Sequence, residues 1–191
     1  MAPSLPKGGN ISLTKQEPGL DKIIVGLGWT VRNTSGTGFD LDACVFMLGE
    51  NGKCRSDEDF IFYNQKKSTC GSVEHMGDNR TGAGDGDDEV IRVDLSKVPA
   101  DVTKLVFAAS IYDGLARKQN FGQVADAYIR VLNNSTRSEM TRYDLSEDAS
   151  VETALLFGEV YRNNGEWKFR AIGQGYAEGF EMMVRSFGVE V

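Results

Sequence analysis

From Gly77 to Glu89 the chain reads Gly-Asp-Asn-Arg-Thr-Gly-Ala-Gly-Asp-Gly-Asp-Asp-Glu, setting Asp78, Asp85, Asp87, Asp88 and Glu89 against one base, Arg80. Like charges about 4 Å apart cost roughly 1 kcal/mol per pair in water and several-fold more near a protein surface. A loop of this kind stays solvated or is neutralised by a cation. Gly82, Gly84 and Gly86 permit positive φ, so the backbone can curl around a point and turn carbonyl oxygens inward. Carboxylate and amide oxygens are hard ligands. Roughly six to eight of them on a flexible loop suit Ca²⁺, whereas Mg²⁺ requires a tighter octahedron and keeps more of its water.

The spacing excludes two familiar loops. Asp78 and Glu89 could open and close a twelve-residue EF-hand, but Arg80, Gly82 and Ala83 stand where that loop needs ligands and its glycine. A P-loop is also excluded, because no Lys-Ser/Thr ending is present and the loop precedes a strand. Alternation sorts the remaining acids. Ile91, Val93 and Leu95 form an apolar row, which predicts that Asp87 and Glu89 share its face and that Asp88 leans the other way. A carboxylate aimed at a core must be paired or metal-bound. Asp40 and Asp42 repeat the pattern about 7 Å apart on one strand face, followed there by Phe46 and Leu48. They complete an oxygen cluster if this end of the fold meets the glycine-rich loop. Asn64 is a further amide ligand or a turn cap. Asp57, Glu58 and Asp59 read as a solvated turn, and His75 as a structural hydrogen-bonding residue.

The elements that must position these groups are mostly strands. Ile23, Val25, Leu27, Trp29 and Val31 alternate with polar residues and with Gly26 and Gly28, predicting a strand over 22–32 whose glycine face is approached closely by a backbone or a ligand. Segments 39–48 and 104–112 are apolar on both faces and read as central strands. Further strands are expected at 60–63, 89–95, 127–132, 139–145, 153–162 and 166–172, the last two joined by an Asn163-Asn164-Gly165 hairpin turn. Tyr176, Phe180, Met183, Val184 and Phe187 form an amphipathic helical stripe closed by Gly188. The expectation is an all-β fold, a two-sheet β-sandwich with a short C-terminal helix, as one domain over residues 1–191.

Composition narrows the function classes. A net charge of −7 disfavours a nucleic-acid partner, whose phosphates need Lys and Arg. Three cysteines, Cys44, Cys54 and Cys70, without C-x-x-C spacing point away from a disulfide framework or zinc ribbon and toward a reducing compartment. One histidine rules out a two-histidine site within the chain. No apolar run spans a membrane and the N-terminus carries no secretory pattern, so a cytoplasmic location is expected. No thiol is expected at a helix N-terminus, and the chain is read as a non-enzyme.

The chain resembles the TerD family of tellurium-resistance and stress-response proteins. The resemblance is carried by Leu5–Thr14, Val25-Gly-Leu-Gly-Trp29, Phe39-Asp-Leu-Asp-Ala43, Phe60-Ile-Phe-Tyr-Asn64, the stretch Val73–Gly82 with Gly84–Glu89, and Arg117–Gly122, Arg142–Ser150 and Gly165–Arg170. It implies a β-sandwich holding Ca²⁺, as two ions, through the Asp-x-Asp strand and the acidic loop. The candidate ligands are then Asp40, Asp42, Asn64, Asp78, Asn79, Thr81, Gly84, Asp85, Asp87, Asp88 and Glu89. It further implies a scaffold or sensor role in tellurite resistance near the inner membrane face, beside other Ter proteins that include a membrane-embedded one. The alternative is a Ca²⁺-dependent binder of lipid headgroup, sugar or nucleotide. Cys44 departs from the family's usual Ser and Ala83 from its usual acid, and 113–116 and 177–181 also differ.

Overall fold

The structure, a computed structural model, describes residues 2–31, 38–78, 86–145 and 151–190, with the backbone alone at Val31 and Asp78. Eleven strands and three short α-helices are present among them: β1 Asn10–Ser12, α1 Leu13–Gln16, β2 Lys22–Val31, β3 Leu41–Leu48, β4 Phe60–Ile61, β5 Val73–Asp78, β6 Glu89–Asp94, β7 Lys104–Ile111, α2 Gly114–Arg117, β8 Val124–Asn133, β9 Glu139–Asp144, β10 Ala154–Asn163, β11 Glu166–Tyr176 and α3 Phe180–Ser186. They form two antiparallel sheets, one ordered β5-β6-β2-β8-β9 and the other β1-β11-β10-β7-β3-β4. The predicted sandwich is what the chain forms.

The inter-sheet core follows the alternation. Ile23, Val25 and Leu27 of β2 and Ile91 and Val93 of β6 face Ala43, Val45 and Met47 of β3 and Leu105, Phe107 and Ala109 of β7. Apolar burial of this kind is the main driving force for folding. The two-sided runs have a second cover. Cys44, Phe46 and Leu48 of β3, with Val106 and Ala108 of β7, pack under Met183, Val184 and Val189. Phe46 sits between Phe60 and Phe187, with ring centroids at 4.8 Å and 4.4 Å. The C-terminal helix is thus a lid on the outer face of the second sheet.

Boundaries differ where local pattern and long-range pairing compete. Tyr176, expected in the helical stripe, ends β11 opposite Ala154, and α3 begins only after Gly179 at φ 89°. Gly188, at φ 79°, follows the helix as expected. The hairpin turn holds Asn164 and Gly165 at φ 50° and 75°, the left-handed pair that such a turn requires. β4 stops at Ile61, short of 63. β1, α1 and β5 carry no alternation strong enough to read: β5 turns His75, not an apolar residue, toward the core beside Val73.

Phe107 is fully buried in the central strand of the six-stranded sheet. Phe107→Ala is expected to cost ~3–5 kcal/mol, read as a lower urea midpoint at an unchanged slope.

Candidate functional site

The acidic loop returns to the fold at Glu89, which pairs with Leu27 of β2 and with Asp78 of β5. As the alternation predicts, the Glu89 side chain faces the core and is 1% exposed. Its Oε2 lies 3.1 Å from Nε2 of His75, itself buried. The same Nε2 lies 3.1 Å from the Ala43 carbonyl, and the Gly77 amide donates to Nδ1 at 3.1 Å. These bonds assign the ring proton to Nε2, since Nδ1 is accepting. His75 therefore joins the loop's return to β3 of the opposite sheet.

Asp88 is anchored through its backbone and one carboxylate oxygen. Its amide donates to the Leu27 carbonyl at 2.8 Å, and its Oδ2 accepts from the Trp29 amide at 2.7 Å. Its Oδ1 has no hydrogen-bond partner among the described residues, although the side chain is nearly buried. Burial pushes the Asp88 carboxyl above its ordinary range; the Trp29 amide opposes this and the Asp87 charge reinforces it.

Asp87 corrects the expectation of a shared face with Glu89. The ladder of β6 begins at Glu89, so alternation does not extend back to Asp87, whose carboxylate lies across Gly26 on the outer face of β2. Arg130 grips it through both oxygens at 2.8 Å and 3.1 Å, and the Tyr128 hydroxyl donates to Oδ1 at 2.9 Å. A Cβ at Gly26 would overlap this carboxylate, and one at Gly28 would overlap the Tyr128 ring. The close approach foreseen at the glycine face is made by the protein's own side chains. Arg130 also reaches Glu139 at 3.2 Å. Neither Arg130 nor Tyr128 stood out in the sequence, because only sheet register sets β8 beside Gly26 and Gly28.

The other predicted ligands divide. Asn79, Thr81, Gly84 and Asp85, and the side chain of Asp78, lie outside the described residues. Asp40 precedes β3, and its carbonyl accepts from the Tyr112 amide at 2.8 Å. Asp42 lies on the outer face of β3 with Cys44 and lines a cleft there. Asn64 is exposed in the turn after β4. The Asp-x-Asp strand and the acidic loop do meet at one end of the sandwich, through His75 and Ala43, but Asp42 occupies the far face of β3. Among the described residues no three His, Cys, Asp or Glu side chains converge into a metal cage. Asp88 fits an oxygen-ligated cation at the loop, with a hard oxygen left unbonded. Asp87, held by Arg130, does not.

The TerD domain family model matches residues 1–187, and the chain belongs to the TerD family. It is 56% identical over 189 residues to tellurium resistance protein TerD of Serratia marcescens, covering 99% of this chain and 98% of that protein. It is 54% identical over 192 residues to general stress protein 16U of Bacillus subtilis (strain 168), covering both in full. The crystal structure of the unknown function protein SAV2460 superposes with a TM-score of 0.72 at 21% identity, over 91% of this chain and 99% of that one. That likeness shows the shared fold.

Because the folded protein raises the Asp88 carboxyl above its unfolded value, protonated Asp88 favours folding. That contribution is complete below the ordinary aspartate value of 3.8 and is lost as pH rises through the higher folded one. Asp88→Asn, which keeps the acceptor for Trp29, is expected to raise the melting temperature of metal-free protein near neutral pH and to flatten this part of the pH–stability curve.

Proposed function

We propose that this chain is a calcium-binding stress-response protein of the tellurite-resistance type, acting in the cytoplasm as a scaffold or sensor near the inner membrane face and not as an enzyme. The observation that carries the reading is Asp88: a nearly buried carboxylate with one oxygen unbonded among the described residues and a raised proton affinity, at the end of a loop bearing five acids. A divalent cation there replaces the proton as the counter-charge, so metal affinity rises with pH as Asp88 ionises. Loop carbonyls with Asp78 and Asp85 supply the rest of the oxygen shell in this reading. Asp42, on the far face of β3, belongs to a separate site if a second ion is bound. The names carried by the relatives, tellurium resistance protein and general stress protein, support the biological role.

The same names suggest other Ter proteins as partners. No helix among the described residues is long and apolar enough to cross a membrane, so membrane contact in this reading runs through such a partner. The ligand-bridging alternative loses one of its supports, since the glycine face of β2 is filled by Asp87 and Tyr128.

Catalysis on tellurium oxyanions would need a thiolate or a cofactor. Burial, with Asp42 and Cys54 adding to it, pushes the Cys44 thiol far above its ordinary range. Burial chiefly, then Asp59, pushes Cys54 up to about 12. At Cys70 burial acts upward but is outweighed by the Ser68 and Ser72 hydroxyls at 3.4 Å and 3.0 Å, which hold the thiol below its ordinary value.

Calcium added to chelator-stripped protein is expected to give calorimetric heat and a higher melting temperature, with about 2.7 kcal/mol of added stability at a hundredfold excess over Kd. Asp88→Asn should remove most of that response; an unchanged melting temperature in wild-type protein at millimolar calcium would refute the proposal. Replacing all three cysteines by serine is expected to leave tellurite resistance intact in cells, and a loss on Cys70→Ser alone would restore the enzymatic reading.

A further inference from the structure

The exit of the acidic loop is held at three successive residues. The Tyr128 hydroxyl, which donates to Asp87, also lies 3.3 Å from the Gly86 carbonyl. Arg130 takes both oxygens of Asp87, and Asp88 is bonded to Leu27 and Trp29 of β2. These holding groups stand on β2 and β8 and are braced in turn from β9. The remaining guanidinium nitrogen of Arg130 donates to Glu139 at 3.2 Å, and Arg142 lies over the Tyr128 ring, 3.8 Å from its centroid. Support from strands fixes a group more tightly than support from loops.

The consequence reaches past the neutralising of one acid. A loop that must be ordered as it closes on an ion loses affinity to that ordering. Groups that orient a metal's ligands without touching the metal typically change its affinity about ten- to a hundredfold. Asp88 is the carboxylate with an oxygen to offer, and the residue directly before it is the one Arg130 grips. Fixing Gly86 and Asp87 fixes the direction in which the Asp88 carboxylate leaves the chain. We infer that Arg130, together with Tyr128, is a positioning residue for calcium: it sets the exit of the loop in metal-free protein, so that Asp88 presents its free oxygen before the ion arrives. This rests on the calcium reading above and adds to it two residues that are not ligands. The competing role for Arg130 is to withhold the Asp87 oxygens from the ion. Its removal would then free a ligand and tighten binding, the opposite sign.

Chelator-stripped full-length protein is titrated with CaCl₂ by calorimetry, and the Arg130 Nε–H resonance is followed by NMR before calcium is added. A sharp, slowly exchanging Nε–H is expected in metal-free wild-type protein. Arg130→Gln should weaken calcium binding about ten- to a hundredfold, with Arg130→Lys, which keeps the charge but not the fork, falling between. Combining Arg130→Gln with Asp87→Asn should cost no more than the larger single loss, because the pair acts as one unit. Arg162→Gln is the control for general destabilisation. It removes donors to the Val98, Pro99 and Val102 carbonyls on the six-stranded sheet's side, and should lower the melting temperature while leaving calcium affinity unchanged. Unchanged or tighter binding by Arg130→Gln, an equal loss in Arg162→Gln, or an Nε–H signal that sharpens only with calcium would overturn this inference alone. A wild-type protein that takes up no calcium would overturn the calcium reading and this inference with it.

Discussion

A carboxylate buried between two sheets is the constraint around which this end of the molecule is built. Glu89 opens β6 with 1% of its surface exposed, and a group of that kind is tolerated only with polar company. His75 supplies it, using one ring nitrogen toward both Glu89 and the Ala43 carbonyl and the other to accept from Gly77. Because Ala43 belongs to the opposite sheet, the bridge fixes the acidic loop's return against β3 as well as within its own sheet. The apolar core holds the sheets together; this polar contact sets which loop meets which strand.

The next two acids extend the arrangement in opposite electrostatic senses. Asp87 is neutralised by Arg130 and Tyr128, and Gly26 and Gly28 are what make room for that carboxylate and that ring. The same contacts act back on Tyr128, whose hydroxyl is pushed up to about 12 by burial and by the Asp87 charge. Asp88 has no such cation among the described residues. Three consecutive carboxylates thus have three fates: buried beside a histidine, clamped by a guanidinium, or left with an oxygen to offer. Only the last suits a metal ion, and it was the tertiary neighbours that separated them.

The second face of the six-stranded sheet is organised by α3. Its apolar side covers Phe46, Leu48 and Val106, while the chain leading into it and its own first turn carry Glu178 and Glu181 to the rim of the cleft. Asp42, read as a partner of the acidic loop, lines this acidic, aromatic cavity on the far face of β3. Alternation had correctly grouped it with Phe46 and Leu48. What alternation cannot say is which layer that face meets.

From the sequence alone, the sandwich, most of its strands, the hairpin at 163–165, the helix stop at Gly188 and the inward turn of Glu89 were determined. Each depends on a residue's own conformational preference or on a period of two along a local segment. Tertiary structure decided what depends on partners remote in sequence: that Arg130 and Tyr128 consume Asp87, that His75 ties Glu89 to Ala43, that Tyr176 pairs with Ala154 instead of joining the helix, and that Asp42 faces a cleft under α3. The physical reason is that alternation specifies a side of a strand, whereas charge pairing and metal-ligand geometry require distances that only sheet order and register set.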